Sequence, residues 1–292
     1  MHVDLAIFHA VNGLCGNPLL DRVAAYEENN YFFKGGIFLA LYWWFWFDSD
    51  RRRRERNRRV IAMVIVGTIV ALASARALAV MLPFRVRPMY AAGVGYHAPS
   101  IAFALNLEHW SSFPSDSATY WFALSYGLYR LNRPLGLIAM VYSTLWMCLV
   151  RLYLGIHYPS DLVAGAILGL TVVWLVERLL IHQDAILRRV MRRLAGVEAD
   201  HPQVFYAAAF IVSFELTMMF DDVRGMVRGV MRVLHYAGYT DVGEAASLFI
   251  FAISALLLIG VVASAIMLVR RRQRTASHAK RGLQKSTELS TS

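Results

Sequence analysis

Charge is scarce in this sequence, cysteine nearly absent, and no leader pattern opens it. Only 17% of the 292 residues are charged and 58% are hydrophobic, with a mean hydropathy of +0.45. A soluble globular domain carries roughly 25% charged residues, so that class is set aside and a polytopic membrane protein is expected. The two cysteines, Cys15 and Cys148, have neither a pairing spacing nor a neighbouring histidine cluster, which removes a disulfide framework and a cysteine-ligated metal site. Without a basic region leading into an apolar core and a small-residue cleavage site, no cleaved signal peptide is expected. Internal repeats are also missing.

What is present is positive charge, in clusters. The net charge is +10, which in a soluble chain would suggest nucleic acid. Here the arginines stand between apolar runs, where topology explains them and nucleic-acid binding is not expected. Seven segments can cross about 30 Å of hydrocarbon: residues 31–47, 60–82, 117–131, 135–152, 160–180, 203–220 and 247–269. The basic connections 48–59, 130–133 and 178–193 and the run 270–274 are assigned to the cytoplasmic side. Residues 1–30, 83–116, 152–159 and 221–246 then face outward. The expected fold is all-α, a transmembrane helix bundle of about seven spans. Residues 1–30 read as an interfacial segment, 31–182 as the membrane core, 183–270 as a two-span addition, and 271–292 as a disordered cytoplasmic tail. The segment 221–246 also reads as amphipathic on the outer surface.

Three outward segments hold the unusual polar residues: "PFRVRPMY" (83–90), "SSFPSDSATY" (111–120) and "RLYLGIHYPSD" (151–161). Each lies at the end of a span, where loops distant in sequence can converge. His157 and Asp161 are four apart, so a helix starting near Tyr158 lets Asp161 accept from one ring nitrogen and leaves the other free to attack. Arg151, Arg87 and Arg85 supply forked donors suited to phosphate oxygens. Ser115 and the backbone N–H groups after Pro114 offer a helix-terminus anion site. Together these groups point to phosphoryl transfer through a phosphohistidine, with no metal and no cofactor required. Each piece taken alone has a blander reading: the His–Asp pair as a plain hydrogen bond, Arg85 and Arg87 as headgroup anchors, Pro-Ser-Asp as a helix cap.

At these residues the chain resembles the type 2 phosphatidic acid phosphatase family, the integral-membrane lipid phosphatases related to vanadium haloperoxidases. That family carries a Lys, six residues, Arg-Pro segment; a Pro-Ser-Gly-His segment; and a Ser-Arg, five residues, His, three residues, Asp segment. Arg151, His157 and Asp161 match the third, with Val150 where the family has Ser, and Arg87-Pro88 matches the end of the first. "SFPSD" is most similar to the branch acting on undecaprenyl diphosphate in bacterial envelope synthesis. The resemblance implies that His157 is the nucleophile, Asp161 its orienting partner, and Arg87, Arg151 and Ser115 the phosphate cradle. It also implies a multi-pass protein of the bacterial inner membrane whose site faces the periplasm.

Two departures matter. Val80 stands where the family has its lysine; Arg76, one helical turn earlier, and Arg85 are candidate substitutes, Arg76 having a buried contact between spans as its blander role. Ser117 stands where the family has the histidine that protonates the leaving group. Asp116, His97 and His109 are other possible proton donors, and Asp116 also reads as part of the helix cap. General acid help is worth about 10²–10⁴-fold, whereas a departing phosphate has a second pKa of roughly 6 and needs little of it. A lipid diphosphate, such as undecaprenyl diphosphate, is therefore the expected substrate. Two other readings stand beside hydrolysis: phosphoryl transfer from His157 to another lipid, and a degenerate lipid-phosphate-binding scaffold.

Overall fold

The computed structural model describes residues 2–101, 107–182 and 184–219. The expected outer segment 221–246, the seventh span 247–269 and the tail 271–292 lie outside the described residues. Among those described there is no strand. The helices, in chain order, are α1 (His2–Asn12), α2 (Pro18–Asn29), α3 (Ile37–Trp46), α4 (Arg51–Met81), α5 (Asp116–Leu131), α6 (Arg133–Tyr142), α7 (Leu149–Tyr153), α8 (Pro159–His182), α9 (Asp184–Asp200) and α10 (Pro202–Thr217). A π turn, Phe32–Gly36, leads into α3, and a second, Ser143–Cys148, joins α6 to α7.

Local chemistry sets several of these starts. Asn17 caps α2 ahead of Pro18, Asp50 accepts from the Arg53 N–H at the start of α4, Ser115 caps α5 and Asn132 caps α6. Each cap gives a side-chain oxygen to backbone N–H groups that the helix itself leaves unpaired.

Three helical stretches are long and apolar enough to cross a membrane by length and composition: Arg51–Met81, Arg133–Tyr153 and Pro159–Leu180. They mark the chain as a membrane protein. The other expected spans among the described residues are also helical but shorter; α5 and α10 have 16 residues each. Burial explains the short α5. It packs against α4, α6 and α8, with Tyr120, Trp121, Leu124 and Leu128 at most 1% exposed, so it is enclosed by protein over most of its length.

The α5–α8 contact is close because α8 presents glycines to it. A Cβ on Gly165 would lie 2.3 Å from the Ser115 carbonyl oxygen, and one on Gly169 would lie 2.2 Å from that of Thr119. Small residues let two backbones approach in this way.

Residues 2–29 hold two helices that pack on the bundle: α1 contacts α7 and α8, and α2 contacts α7. They bury Phe8, Asn12, Asp21 and Glu27 completely, so their polar residues belong to the interior. Beyond residue 183, the expected basic connection is largely the helix α9, whose Glu198 takes both arms of the Arg58 guanidinium at 2.6 and 2.9 Å.

Gly169→Ala is expected to lower the melting temperature of detergent-purified protein, because overpacking a close contact costs about 1–3 kcal/mol. Gly196→Ala is the control: nothing lies within 4 Å of its Cβ position, and replacing a helical glycine stabilises by about 0.5–1 kcal/mol. Equal melting points for the two variants would contradict the tight α5–α8 seam.

Candidate functional site

Three loop segments meet at one end of the bundle, stitched by backbone hydrogen bonds. After α4 ends at Met81 with Leu82 as its cap, the Arg85 carbonyl accepts from the Ser112 N–H at 2.8 Å. Met89 N–H donates to the Gly155 carbonyl at 2.9 Å, and Ser115 N–H to the Asp161 carbonyl at 3.1 Å. Gly155 has φ +68°, and a Cβ there would meet the Tyr96 ring at 2.5 Å; only glycine makes this turn without a clash. The peptide bond Phe113–Pro114 is cis.

Inside this frame the imidazole of His157 is 2% exposed. Its Nδ1 lies 2.9 Å from the Ser112 carbonyl oxygen, and its Nε2 lies 3.3 Å from Nη1 of Arg87. A carbonyl oxygen can only accept, so Nδ1 carries the proton and the Nε2 lone pair points toward Arg87. Asp161 Oδ2 lies 3.7 Å from Nδ1. The orienting bond expected from Asp161 alone is therefore made mainly by Ser112.

Asp161 is fully buried. It accepts from the Ser112 hydroxyl, from Arg85 Nη1, and from the Tyr158 N–H at 2.8 Å. Arg87 is held flat among carbonyls: its Nε donates to Trp110 O at 3.1 Å, Nη1 to Ile156 O at 3.0 Å and Nη2 to Ser111 O at 3.3 Å. Burial brings its pKa down to about 10, so it stays charged at neutral pH. Burial also lowers the pKa of His157, and the neighbouring Arg87 charge adds to that; the ring is neutral at pH 7 and nucleophilic.

The remaining sequence-derived candidates surround this pair. Arg85 Nη2 donates to Asp4 at 2.7 Å and Nη1 to Ser160 Oγ at 2.7 Å, with its guanidinium 4.3 Å from the Tyr158 ring centre. Arg76 pairs with Asp116 and stacks 4.5 Å from the Trp110 ring centre. Ser115 accepts from the Ala118 N–H at 3.2 Å, so its oxygen serves as the α5 cap. Ser117 Oγ lies 3.5 Å from Asp116 Oδ1, and the Asp116 charge is close enough to act on both His157 and Arg87. Arg151 pairs with Glu28 and lies over Trp121, 5.4 Å from its ring centre. Among the described residues no three His, Cys, Asp or Glu side chains are grouped to hold a metal ion.

Sequence reading did not assign Ser112, Asp4, Ser160 or Glu28. Ser112 lies inside a segment it singled out, so its position was the available signal. Asp4 and Glu28 sit on amphipathic helices far from the motifs, and nothing local marks them.

Residues 81–183 match the model of the PAP2 superfamily. Three curated relatives are similar over the same kind of extent. Bacitracin transport permease protein BcrC of Bacillus licheniformis is 31% identical over 90 residues, 29% of this chain and 44% of the relative. Decaprenylphosphoryl-5-phosphoribose phosphatase of Mycobacterium tuberculosis is 38% identical over 27% of this chain and 43% of its own length. Lipid A 4'-phosphatase of Bacteroides thetaiotaomicron is 47% identical over 60 residues, 20% of this chain and 26% of the relative. The chain thus spans less than half the length of each of these relatives. A crystal structure of Aquifex aeolicus LpxE aligns with a TM-score of 0.42 and 22% identity, over 60% of this chain and 94% of that one.

The lowered pKa of His157 carries a sign. As pH falls, the unfolded chain protonates this histidine first, at its ordinary value of about 6.5, while the folded site resists the proton. The stability contributed by the neutral ring is thus present above pH 6.5 and lost on acidification below it. Ring-nitrogen NMR titration is expected to give His157 a midpoint below 6.5, and Arg87→Met is expected to move it upward. A midpoint at or above 6.5 in the parent protein would contradict the geometry.

Proposed function

We propose that this chain is a membrane lipid phosphatase that hydrolyses a lipid diphosphate through a phosphohistidine at His157. The observation that carries the reading is the Nε2 lone pair of His157, with Nδ1–H committed to Ser112 and a buried guanidinium at its side. In the first step Nε2 bonds to the terminal phosphorus as the bridging P–O bond breaks, and the lipid monophosphate leaves with the electron pair. Water then attacks phosphorus as the P–Nε2 bond breaks, the electron pair returns to the ring as the Nε2 lone pair, and inorganic phosphate leaves with the water's oxygen and its protons. Arg87, with Arg85, Arg76 and Arg151 around it, balances the charge gathered on the phosphoryl oxygens, and donors already in place cost no reorganisation. Ser115, as the α5 cap, aims the N-terminus of that helix at the same region.

Two of the relatives are named as phosphatases, of decaprenylphosphoryl-5-phosphoribose and of lipid A, which supports a lipid-borne phosphate as substrate. Ser117 favours the diphosphate, because a serine hydroxyl is a poor acid and a departing phosphate does not need one. Arg58 lies at the opposite end of α4 from the loop that carries Arg87, alongside the arginines of 51–59. With that basic end in the cytoplasm of a bacterial inner membrane, the site opens to the periplasm.

Detergent-purified protein is expected to release phosphate from a polyprenyl diphosphate and to leave the matched monophosphate nearly untouched, with His157→Ala reducing release to background. Ser117→His is expected to raise monophosphate turnover by about 10²–10⁴-fold, the usual worth of a general acid, with little change for the diphosphate. Preference of the parent protein for the monophosphate would refute the leaving-group argument. Full activity in His157→Ala would refute covalent catalysis.

A further inference from the structure

Beside the His157 pocket lies a second group of buried charges, of which the proposed mechanism uses only Arg151. Glu28, near the end of α2, sits between two cations. One carboxylate oxygen is 3.2 Å from Nζ of Lys34, and the other pairs with Nη1 of Arg151. All three are buried, their side chains at 7% exposure for Lys34, 11% for Glu28 and 7% for Arg151. Lys34 belongs to the π turn that opens α3, and Arg151 follows the π turn that ends at Cys148; such turns re-aim side chains and are frequent at functional sites.

Three features make this more than a structural ion pair. Arg151 Nε is a buried donor without an acceptor among the described residues, although a buried guanidinium normally spends every N–H. Glu27, fully buried next to the same cations, has no hydrogen-bond partner for either oxygen among the described residues; burial pushes its pKa up to about 6 against the pull of Arg151 and Lys34. Protonation of Glu27 leaves two cations facing one carboxylate. Finally, Lys34 is the one lysine before residue 280 in a chain that otherwise uses arginine for its positive charge, and position 80, where the resembled family has its lysine, is Val80.

We propose that Lys34 is a further substrate-binding residue: with Arg151 it forms a two-cation seat for a phosphate group, and the Glu28 carboxylate that occupies the seat in this structure gives way to that phosphate. A carboxylate bridging two cations presents two oxygens at the spacing that a phosphate offers the same donors, so one anion can replace the other without moving either cation. Arg151 Nε is the additional donor that a three-oxygen anion reaches and a carboxylate does not. This inference rests on the phosphatase reading for the identity of the anion, a phosphate of the lipid substrate or the inorganic phosphate released from it.

The test is binding of inorganic phosphate to the full chain in detergent, read by calorimetry and by the melting-point rise that a bound ligand produces. Lys34→Met is expected to weaken phosphate affinity about tenfold, the usual order for one charge-assisted contact, and Lys34→Arg to restore it. Glu28→Gln is expected to do the reverse and tighten it by a similar factor, because the competing charge is gone. Should Glu28→Gln not give folded protein, Glu28→Asp, whose shorter arm reaches only one cation, is expected to tighten binding in the same direction. A lipid diphosphate should show a raised KM with Lys34→Met and little change in kcat, while the monophosphate product of lipid origin should compete less well. A purely structural cluster would weaken binding in both Lys34→Met and Glu28→Gln, and that result, or no phosphate binding by the parent protein, overturns the seat. Opposite-signed effects in a protein that turns over no lipid phosphate would uphold the seat and bring down the phosphatase reading instead.

Discussion

One buried carboxylate holds the candidate site together. Asp161 receives Arg85 from the first loop, the hydroxyl of Ser112 from the second, and the Tyr158 N–H from its own turn. Its carbonyl fixes Ser115, the cap of α5. A fully desolvated carboxylate is tolerable only when its oxygens are filled in this way, and removing one partner of a buried pair commonly costs about 3–5 kcal/mol. The charge that would be expensive alone becomes the reason three distant segments converge. The same Ser112 that donates to Asp161 gives its carbonyl to His157 Nδ1, so the carboxylate acts on the imidazole through the loop it anchors as well as through its charge.

Convergence places many cations in little space. Arg76 meets Asp116, Arg85 meets both Asp4 and Asp161, and Arg151 meets Glu28. Arg87 instead meets carbonyl oxygens and the lone pair of His157. That contrast divides their chemistry. The paired arginines have their charge compensated within the protein, while Arg87 retains a net charge that burial makes more effective, since little water screens it. Two of the four compensating carboxylates, Asp4 and Glu28, come from α1 and α2. The N-terminal helices are therefore part of the electrostatics of the site, in addition to covering one end of the bundle.

The arrangement is rigid where chemistry is proposed and close-packed behind it. Gly165 and Gly169 let α8 lie against α5, which keeps the starts of the two helices, and hence Ser115 and Asp161, within one hydrogen bond of each other. Moving either helix outward by the width of a methyl group would break the Ser115–Asp161 link before it disturbed the apolar core. The helix seam and the polar site thus depend on the same small residues.

Much of this was legible in the order of residues. Apolar run length and clustered arginine indicate a helical membrane protein; three of the expected spans correspond to helices long and apolar enough to cross a membrane, and three more fall on shorter helical segments among the described residues. The spacing of Arg151, His157 and Asp161 singles out the segment, because a four-residue step across a helix start is a local geometric fact. Other features had no local signature. That Ser112 rather than Asp161 takes the closest bond to the ring depends on how a loop 45 residues away is folded. That Glu28 stands between Lys34 and Arg151 depends on α2 docking against α7, a contact between surfaces far apart in the chain. Periodicity and motif spacing are properties of neighbours along the backbone, so the sequence by itself determined the helices and the kinds of chemical group. Which carboxylate meets which cation is set by packing between helices, and only the tertiary structure decided it.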